Sequence, residues 1–485
     1  MPKLAHAGRL ALASATAVLL SAGARAQDAD SLADAFPGAA GPAFTLAEAF
    51  AYAATHTPSV RIAQANLAEA EGQIDETVAL GIPQVNGSVD YQYFFEIPAQ
   101  LLPDFISPAV YDVLTEENVG SIEGAPITAP PPSNQLFPAQ FGLSNNLTAG
   151  VNASALVFDA TFFIAVRGAK LYRSLAQRTV EQTAYQTRVQ VAKAYLAVLI
   201  AERNLATVDR NLDNLDQSLL ETRALYREGF AEKLAVDRLE LTRGNLAAQR
   251  ESIQQVIAIS RNLLKFQMGY PVTEPIALAT TLDEALGGAR LGDLVADADF
   301  DPRVRPEYAT LEAADSLNAI DLQRIRAGYF PSLRAGAGIS RQLQRNDLFD
   351  GDEADWIPSS FVGATLTVPI FDGFSKRAQR QSALARQAST RVQLAQFEES
   401  ARLALANARA SVRNTRLAVD LREEAIALAE EIYRVAQVKF REGVGSSLEV
   451  NQAQSDLYAA QDALTQALYD LAVAYTDYED ALGRL

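Results

Sequence analysis

The chain has 485 residues, 49% of them apolar and 21% charged, with a formal net charge of −17 and no cysteine. That apolar content argues against general disorder, and the lack of Cys excludes disulfides, thiolate metal sites, a cysteine nucleophile and a lipidated N-terminal Cys. His6 and His56 are the only imidazoles, which speaks against histidine zinc sites and Ser/His/Asp triads.

Residues 1–26 read as an export signal. Lys3 and Arg9 form a basic start, Leu10 to Ala24 an apolar core too short to span a bilayer, and Ala24-Arg25-Ala26 a small-residue cleavage site. Its removal takes away three basic and no acidic residues, leaving a formal charge of −20. So acidic a chain is a poor partner for nucleic acid. No later stretch offers ~18 consecutive apolar residues, so any passage through a bilayer falls to strands.

Internal repetition dominates the rest. The segments Pro58 to Pro83 and Pro306 to Pro331 correspond at an offset of 248. Val157-Phe158-Asp159 corresponds to Ile370-Phe371-Asp372 at 213, and Tyr226-Arg227-Glu228-Gly229 to Phe440-Arg441-Glu442-Gly443 at 214. One connection is therefore about 35 residues longer in the first half, and the chain is a tandem duplication of one long unit. The expected organisation is an N-terminal segment 27–43, a first repeat 44–270, an inter-repeat segment 271–301 and a second repeat 302–485.

Taken in chain order, a helix is predicted from Thr45 to Leu80, with Pro58 near its start. A strand follows in which Val85, Val89, Tyr91 and Tyr93 alternate with polar residues. The Pro-rich stretch from Ile97 to Gln140, with Pro130-Pro131-Pro132, reads as a solvated loop. The return strand alternates Leu147, Ala149, Val151, Ala153, Ala155 and Val157 with Asn and Thr. Thr161 to Arg227 then has no Pro and predicts one helix of ~100 Å; Val191, Val198, Leu205, Leu212, Leu219 and Tyr226 give it a heptad seam. Gly229 breaks it, and a helix from Glu232 to Met268 follows.

The second half repeats the order. Its strands carry Leu333, Ala335, Ala337 and Ile339, then Val362, Ala364, Leu366, Val368 and Ile370. Between them lies an acidic connection with Asp347, Asp350, Asp352, Glu353 and Asp355. Its long helix has the seam Leu405, Val412, Val419, Ile426, Tyr433 and Phe440, beside the small residues Ala401, Ala408, Thr415, Ala429 and Ala436. Gly443 ends it, and both tip glycines suit a left-handed helix terminus. Leu234 and Leu448, five residues after each Gly, are expected to pack within their hairpins.

Period two over about ten residues, four times, is the signature of membrane β-barrel strands, apolar toward lipid and polar toward a lumen. The expected lipid-facing residues are Val85, Val89, Tyr91, Val151, Leu333, Ile339, Leu366 and Val368. Tyr91, Tyr93, Phe94, Phe95, Phe141, Trp356 and Phe361 are candidates for interfacial girdles. Four strands cannot close a barrel, so more than one copy must contribute. A half-buried soluble sheet is the alternative.

With these elements in place, the chain closely resembles the TolC-type outer-membrane efflux protein family over nearly all of residues 27–485. The most specific matches are Tyr-Arg-Glu-Gly at 226–229, the run Lys-Phe-Arg-Glu-Gly-Val-Gly-Ser-Ser-Leu-Glu-Val-Asn-Gln-Ala-Gln at 439–454, and Pro83 and Pro331 before the first strand of each half. The resemblance implies a mainly α fold with transmembrane β: a homotrimer in which an α-helical barrel continues into a shared twelve-stranded β-barrel. It implies a passive exit duct for efflux or type I secretion in the outer membrane of a Gram-negative bacterium, extending into the periplasm. A periplasmic adaptor (membrane fusion) protein would link it to an inner-membrane efflux pump or ABC secretion transporter.

Neither catalysis, cofactor nor metal is expected. Glu449 matches an acidic gate position of the family, whereas the next falls on Gln452; the first half offers Asp237. Ordinary solvated helix charge is the alternative for Glu449 and Asp237. Adaptor docking is expected on the tip residues Gly229, Glu232, Lys233, Gly443, Val444, Gly445 and Ser446. The competing reading of the whole chain is a periplasmic coiled-coil adaptor or structural protein without a pore.

Overall fold

The computed structural model describes residues 41–103, 106–122, 124–125, 127–128, 136–140, 142–285, 300–347 and 356–485. The export signal, the triple proline, Phe141 and the acidic residues 350–355 lie outside the described residues. In chain order the elements are β1 (Ala43–Phe44), α1 (Leu46–His56), α2 (Pro58–Ala79), β2 (Gln84–Tyr93), β3 (Ala99–Pro103), α3 (Ile106–Glu116), β4 (Leu136–Gln140), β5 (Asn145–Asp159), α4 (Ala160–Arg227) and α5 (Lys233–Met268). There follow β6 (Ala277–Leu278), α6 (Leu282–Ala285), α7 (Pro306–Ala327), β7 (Ser332–Arg345), β8 (Ile357–Thr367), α8 (Ser375–Arg441) and α9 (Ser447–Leu482). The repeat is visible in the lengths. α2 and α7 both have 22 residues, α4 and α8 have 68 and 67, and α5 and α9 have 36 each.

Three sequence expectations change here. The first helix is two, because Pro58 holds Thr57 extended (φ −61°, ψ 131°) and so parts α1 from α2. The stretch Ile97 to Gln140 is not loop throughout: β3 pairs antiparallel with β4, Ala99 opposite Gln140, and α3 lies between them. The prolines obscured this, although Pro103 and Pro138 sit within a two-stranded ribbon whose free edges have no ladder to break. Glu232 caps α5 from extended backbone rather than opening it.

Among the described residues, one compact unit holds 41–52 and 194–285. Here β1 pairs parallel with β6. The fully buried Tyr195 fastens that pair to α4: its hydroxyl donates to the Phe44 carbonyl at 2.8 Å and accepts from the Thr280 N–H at 3.4 Å. Thr45 and Glu48 form a capping box at the start of α1. The Thr45 N–H donates to the Glu48 carboxylate at 2.8 Å, and the Glu48 N–H to the Thr45 hydroxyl at 3.3 Å. Those bonds from Thr45 hold the Glu48 carboxyl below its usual range.

Leu215, Leu219, Val236, Leu239 and Leu246 are buried in the hairpin of α4 and α5. A ladder of ion pairs joins the two helices: Glu202 with Arg261, Asp209 with Arg250, Asp216 with Arg243, and Arg223 with Glu240. The α4 members fall seven apart, two turns each, so all four lie on one helix face. The expected seam is only partly the buried one. Val191, Val198 and Leu219 are buried, Leu205 and Leu212 half-buried, and Tyr226 exposed. Val208, Leu215 and Thr222 take the buried track instead, because a straight helix drifts by about 20° per heptad.

The other unit holds 53–193 and 300–485. Leu405, Ala408 and Val412 of α8 pack with Ala474, Tyr478 and Ala481 of α9. Leu322 and Ile325 of α7 pack with Ala383 of α8. In the second-half seam, Leu405, Val412 and Val419 are buried beside Ala401, Ala408, Ala429 and Ala436. Arg305 pairs with Glu307 at 3.2 Å and with Asp480 at 3.6 Å, and the Tyr185 hydroxyl donates to the Asp480 carbonyl at 3.0 Å. These contacts draw α4, α7 and α9 together at the C-terminal end of α9. No helix among the described residues is long and apolar enough to cross a membrane.

Candidate functional site

β2, β5, β7 and β8 form one antiparallel sheet in that order, and among the described residues β2 and β8 are unpaired on their outer edges. The register sorts the side chains into two faces. One carries the rows Val85–Ala153–Ala337–Val362, Gly87–Val151–Ile339–Ser360, Val89–Ala149–Arg341–Pro358 and Tyr91–Leu147–Leu343. The other carries Asn86–Asn152–Gly338–Phe361, Ser88–Gly150–Ser340–Ser359 and Asp90–Thr148–Gln342–Ile357. The apolar face is open: Val85 is 67% exposed, Val89 72% and Val362 89%. Tyr91, Val151, Ile339 and Leu366 are also exposed, and Leu333 is half-buried. Seven of the eight residues expected on this face thus stand on paired strands.

Val368 does not. β8 ends at Thr367, opposite Ser332. The next rung would face Pro331, which has no N–H to give, and Pro369 follows Val368; Ile370 lies beyond the strand for the same reason. Val157 also leaves its place, because a bulge between Leu156 and Phe158 puts Phe158 opposite Leu333. Phe361 is not a strand-end girdle residue. It lies mid-strand on the polar face, its ring over Gly338, where an added Cβ would fall 2.5 Å from the ring.

Aromatic side chains mark both ends of the apolar face. At the loop end Tyr93 meets Phe95 edge-on at 5.1 Å, and the Tyr91 hydroxyl donates to the buried Asn145 at 2.7 Å. At the helix end stand Phe158, Phe162 and Phe163, and Phe371 with Phe374, at ring spacings of 5.4–6.3 Å. Lys376 lies 5.3 Å over the Tyr329 ring. Sequence reading missed this second belt. Its signal is the pair of phenylalanines at the start of each long helix, Phe162 and Phe163 inside α4 and Phe371 and Phe374 just before α8.

The hairpin tips are built alike. After α4, Gly229 takes φ +82°, the Gly229 N–H donates to the Tyr226 carbonyl at 3.1 Å, and the Phe230 N–H to that of Leu225 at 2.8 Å. After α8, Gly443 takes φ +76°, with the Val444 and Gly445 N–H groups both on the Lys439 carbonyl at 3.0 Å. These are left-handed helix termini, as expected. Ser446 caps α9, its hydroxyl accepting from the Glu449 N–H at 3.3 Å. Glu449 thus occupies the third position of a helix start, where a carboxylate is favoured whatever else it does.

Glu449, Gln452 and Asp237 all have exposed side chains, and Gln452 donates to Asp456 at 2.9 Å. Glu232 and Lys233 are exposed at the first tip, and Val444 at the second. Leu234 and Leu448 do not pack inward; they stay 52% and 57% exposed, while Ala235, Val236, Ala453 and Leu457 fill the hairpin interiors. One or two positions in the first hairpin and five in the second separate the outward-looking leucine from the residue that reaches the partner helix, and the sequence offered apolar residues at both.

An open sheet with one apolar and one polar face, banded by aromatics and followed by helices of nearly seventy residues, has the two-faced pattern of membrane β-barrel strands. Residues 309–484 match the family model described as "Outer membrane efflux protein". The chain is 26% identical over 308 residues to "Pyoverdine export outer membrane protein OpmQ" of Pseudomonas aeruginosa, a match covering 60% of each chain. It is 22% identical over 347 residues to "Probable efflux pump outer membrane protein TtgC" of Pseudomonas putida, covering 69% of this chain and 68% of that one. A solved structure of CusC resembles it with a TM-score of 0.67 at 19% identity, over 93% of this chain and 95% of the other. Together these matches support an outer membrane efflux protein family for this chain, the family model itself spanning residues 309–484.

Proposed function

We propose that this protein is the outer-membrane duct of an export system, working without catalysis. The observation that carries the reading is the sheet: four strands, one face apolar and open, the other polar, with both outer edges unpaired among the described residues. Exposed edges with an exposed apolar face are a liability in water. Both are satisfied when copies join edge to edge in a bilayer, which leaves polar side chains around a lumen. Three copies give the twelve strands of the shared barrel. The long helices extend from it into the periplasm.

In this reading the tips meet a periplasmic adaptor, through Gly229, Glu232, Lys233, Gly443, Val444, Gly445 and Ser446 and the outward-facing Leu234 and Leu448. The adaptor couples the duct to an inner-membrane efflux pump or ABC secretion transporter. Glu449 and Asp237, repeated around the axis, set a negative potential at the entrance that favours cations; Gln452 leaves that ring weaker by one carboxylate per chain. The name of OpmQ assigns that protein to pyoverdine export, and efflux or type I secretion is the class we extend to this chain.

The test is direct. The full chain, expressed with its export signal, should leave the outer membrane only in detergent, run as a trimer, and pass ions in planar bilayers. A monomer that stays dissolved without amphiphile refutes the proposal.

A further inference from the structure

The apolar face breaks its own pattern on β7, at Arg341 within the sheet and at Arg345 on its last rung. Its register is unbroken from Ala335 to Arg345, so every second residue of β7 must stand on it, and one of these is Arg341. Arg341 lies between Ala149 of β5 and Pro358 of β8, with Val89 on the strand beyond. It is exposed and makes no ion pair among the described residues. Of the other strand charges within the paired rows, Asp90, Asp159 and Arg334 stand on the polar face, while Arg345, opposite Asn145, shares the face of Arg341 two rungs nearer the loop end.

An arginine on the lipid side of a barrel is costly at the hydrocarbon midplane and nearly free at the interface. Its height therefore decides what it is. From the Leu333 row, flanked by Phe158, to the Arg341 row is eight residues, or about 26 Å along the strand and about 20 Å of height at a 40° tilt. An apolar band of that height places the Phe158 row at one headgroup boundary and Arg341 at the other, one rung inside Tyr91. The loop end is the outer one, because the long helices leave from the opposite end. Ala149 and Pro358 are short neighbours, so the aliphatic stem of Arg341 can lie on the sheet while its planar guanidinium rises to the headgroup level. That fork matches phosphate. The Tyr91 hydroxyl has already given its proton to Asn145, and Arg345, two rungs farther out, has a partner of its own, so Arg341 is the donor of its row.

We infer that Arg341 is the recognition residue of a lipid site, binding the phosphate of an anionic outer-leaflet headgroup while acyl chains lie along Val89, Ala149 and Ile339. This rests on the membrane reading of the sheet. The test uses the full chain in nanodiscs of zwitterionic phospholipid doped with a phosphorylated glycolipid (lipid A) or its dephosphorylated form, with bound lipid counted after detergent extraction. The wild type should retain the phosphorylated lipid about fivefold better than the dephosphorylated one, the effect of one cation at a membrane surface. Arg341→Gln should lose that preference and Arg341→Lys keep most of it. Excess inorganic phosphate should not displace the lipid. Equal retention of the two lipids by the wild type overturns the inference without recourse to any variant. So does displacement by free phosphate, or an Arg341→Gln protein that keeps its lipid but loses its trimer. Wild type that fails to enter nanodiscs at all refutes the duct itself.

Discussion

Val362 and Gly363 are neighbours in β8, yet the register puts them on opposite faces of the sheet. Val362 shares its row with Val85, Ala153 and Ala337, midway between the Leu333 and Arg341 rows and so near the centre of the apolar band. An arginine there costs about 2–4 kcal/mol per chain against hydrocarbon, which is roughly a 30- to 1,000-fold loss in the equilibrium for folding into a bilayer. Gly363 faces the polar side, where an added Cβ meets nothing within 4 Å, and an arginine there enters a water-filled lumen at little cost. Urea titration of the protein folded into phosphatidylcholine vesicles measures both. Val362→Arg should lower the unfolding midpoint or abolish insertion, and Gly363→Arg should resemble the wild type while narrowing the conductance. If the two variants behave alike, or Val362→Arg is the better tolerated, the face is not toward lipid and the reasoning fails.

The gate reading predicts that Glu449→Gln reduces the preference for cations, moving the reversal potential in a salt gradient toward zero; an unchanged potential would leave Glu449 as no more than part of the α9 cap. Gly443→Ala should destabilise the second hairpin by about 1–2 kcal/mol, because an L-residue is forced to positive φ, and amide exchange across 438–446 reports it. Gly244→Ala, inside α5 with open space around the new Cβ, should stabilise by about 0.5–1 kcal/mol instead. Burial pushes the Asp321 carboxyl up, but hydrogen bonds from Arg324 and Arg386 outweigh it and hold the group below its usual value. A carboxyl more acidic folded than unfolded adds stability above its unfolded pKa, lost as pH falls through the folded one. The thermal midpoint of Asp321→Asn should therefore fall less than that of the wild type between neutrality and about pH 3.

The duplication, the two helices of nearly seventy residues, the glycine tips and the alternation of the strands were all written in the sequence, because each is a local matter of period, Pro placement and backbone freedom. Seven of the eight apolar strand residues were legible for the same reason: alternate side chains of a strand must face opposite ways. What escaped was whatever depends on the partner strand or helix. Val368 loses its place through Pro331 on the neighbouring strand, and Val157 through a bulge that only pairing with β7 defines. Phe361 looks like a girdle residue until Gly338 is seen beneath its ring, and Leu234 and Leu448 look like hairpin core until Ala235, Val236, Ala453 and Leu457 are seen to fill it. The ladder from Glu202–Arg261 to Arg223–Glu240 was in the sequence as charges seven apart, but antiparallel register alone could say which charge meets which. Arg341 is the sharpest case. In one dimension it is an arginine among polar residues, and only strand pairing puts it on the apolar face at the height of a headgroup, because parity along a strand acquires a meaning only when a second strand fixes which side is which.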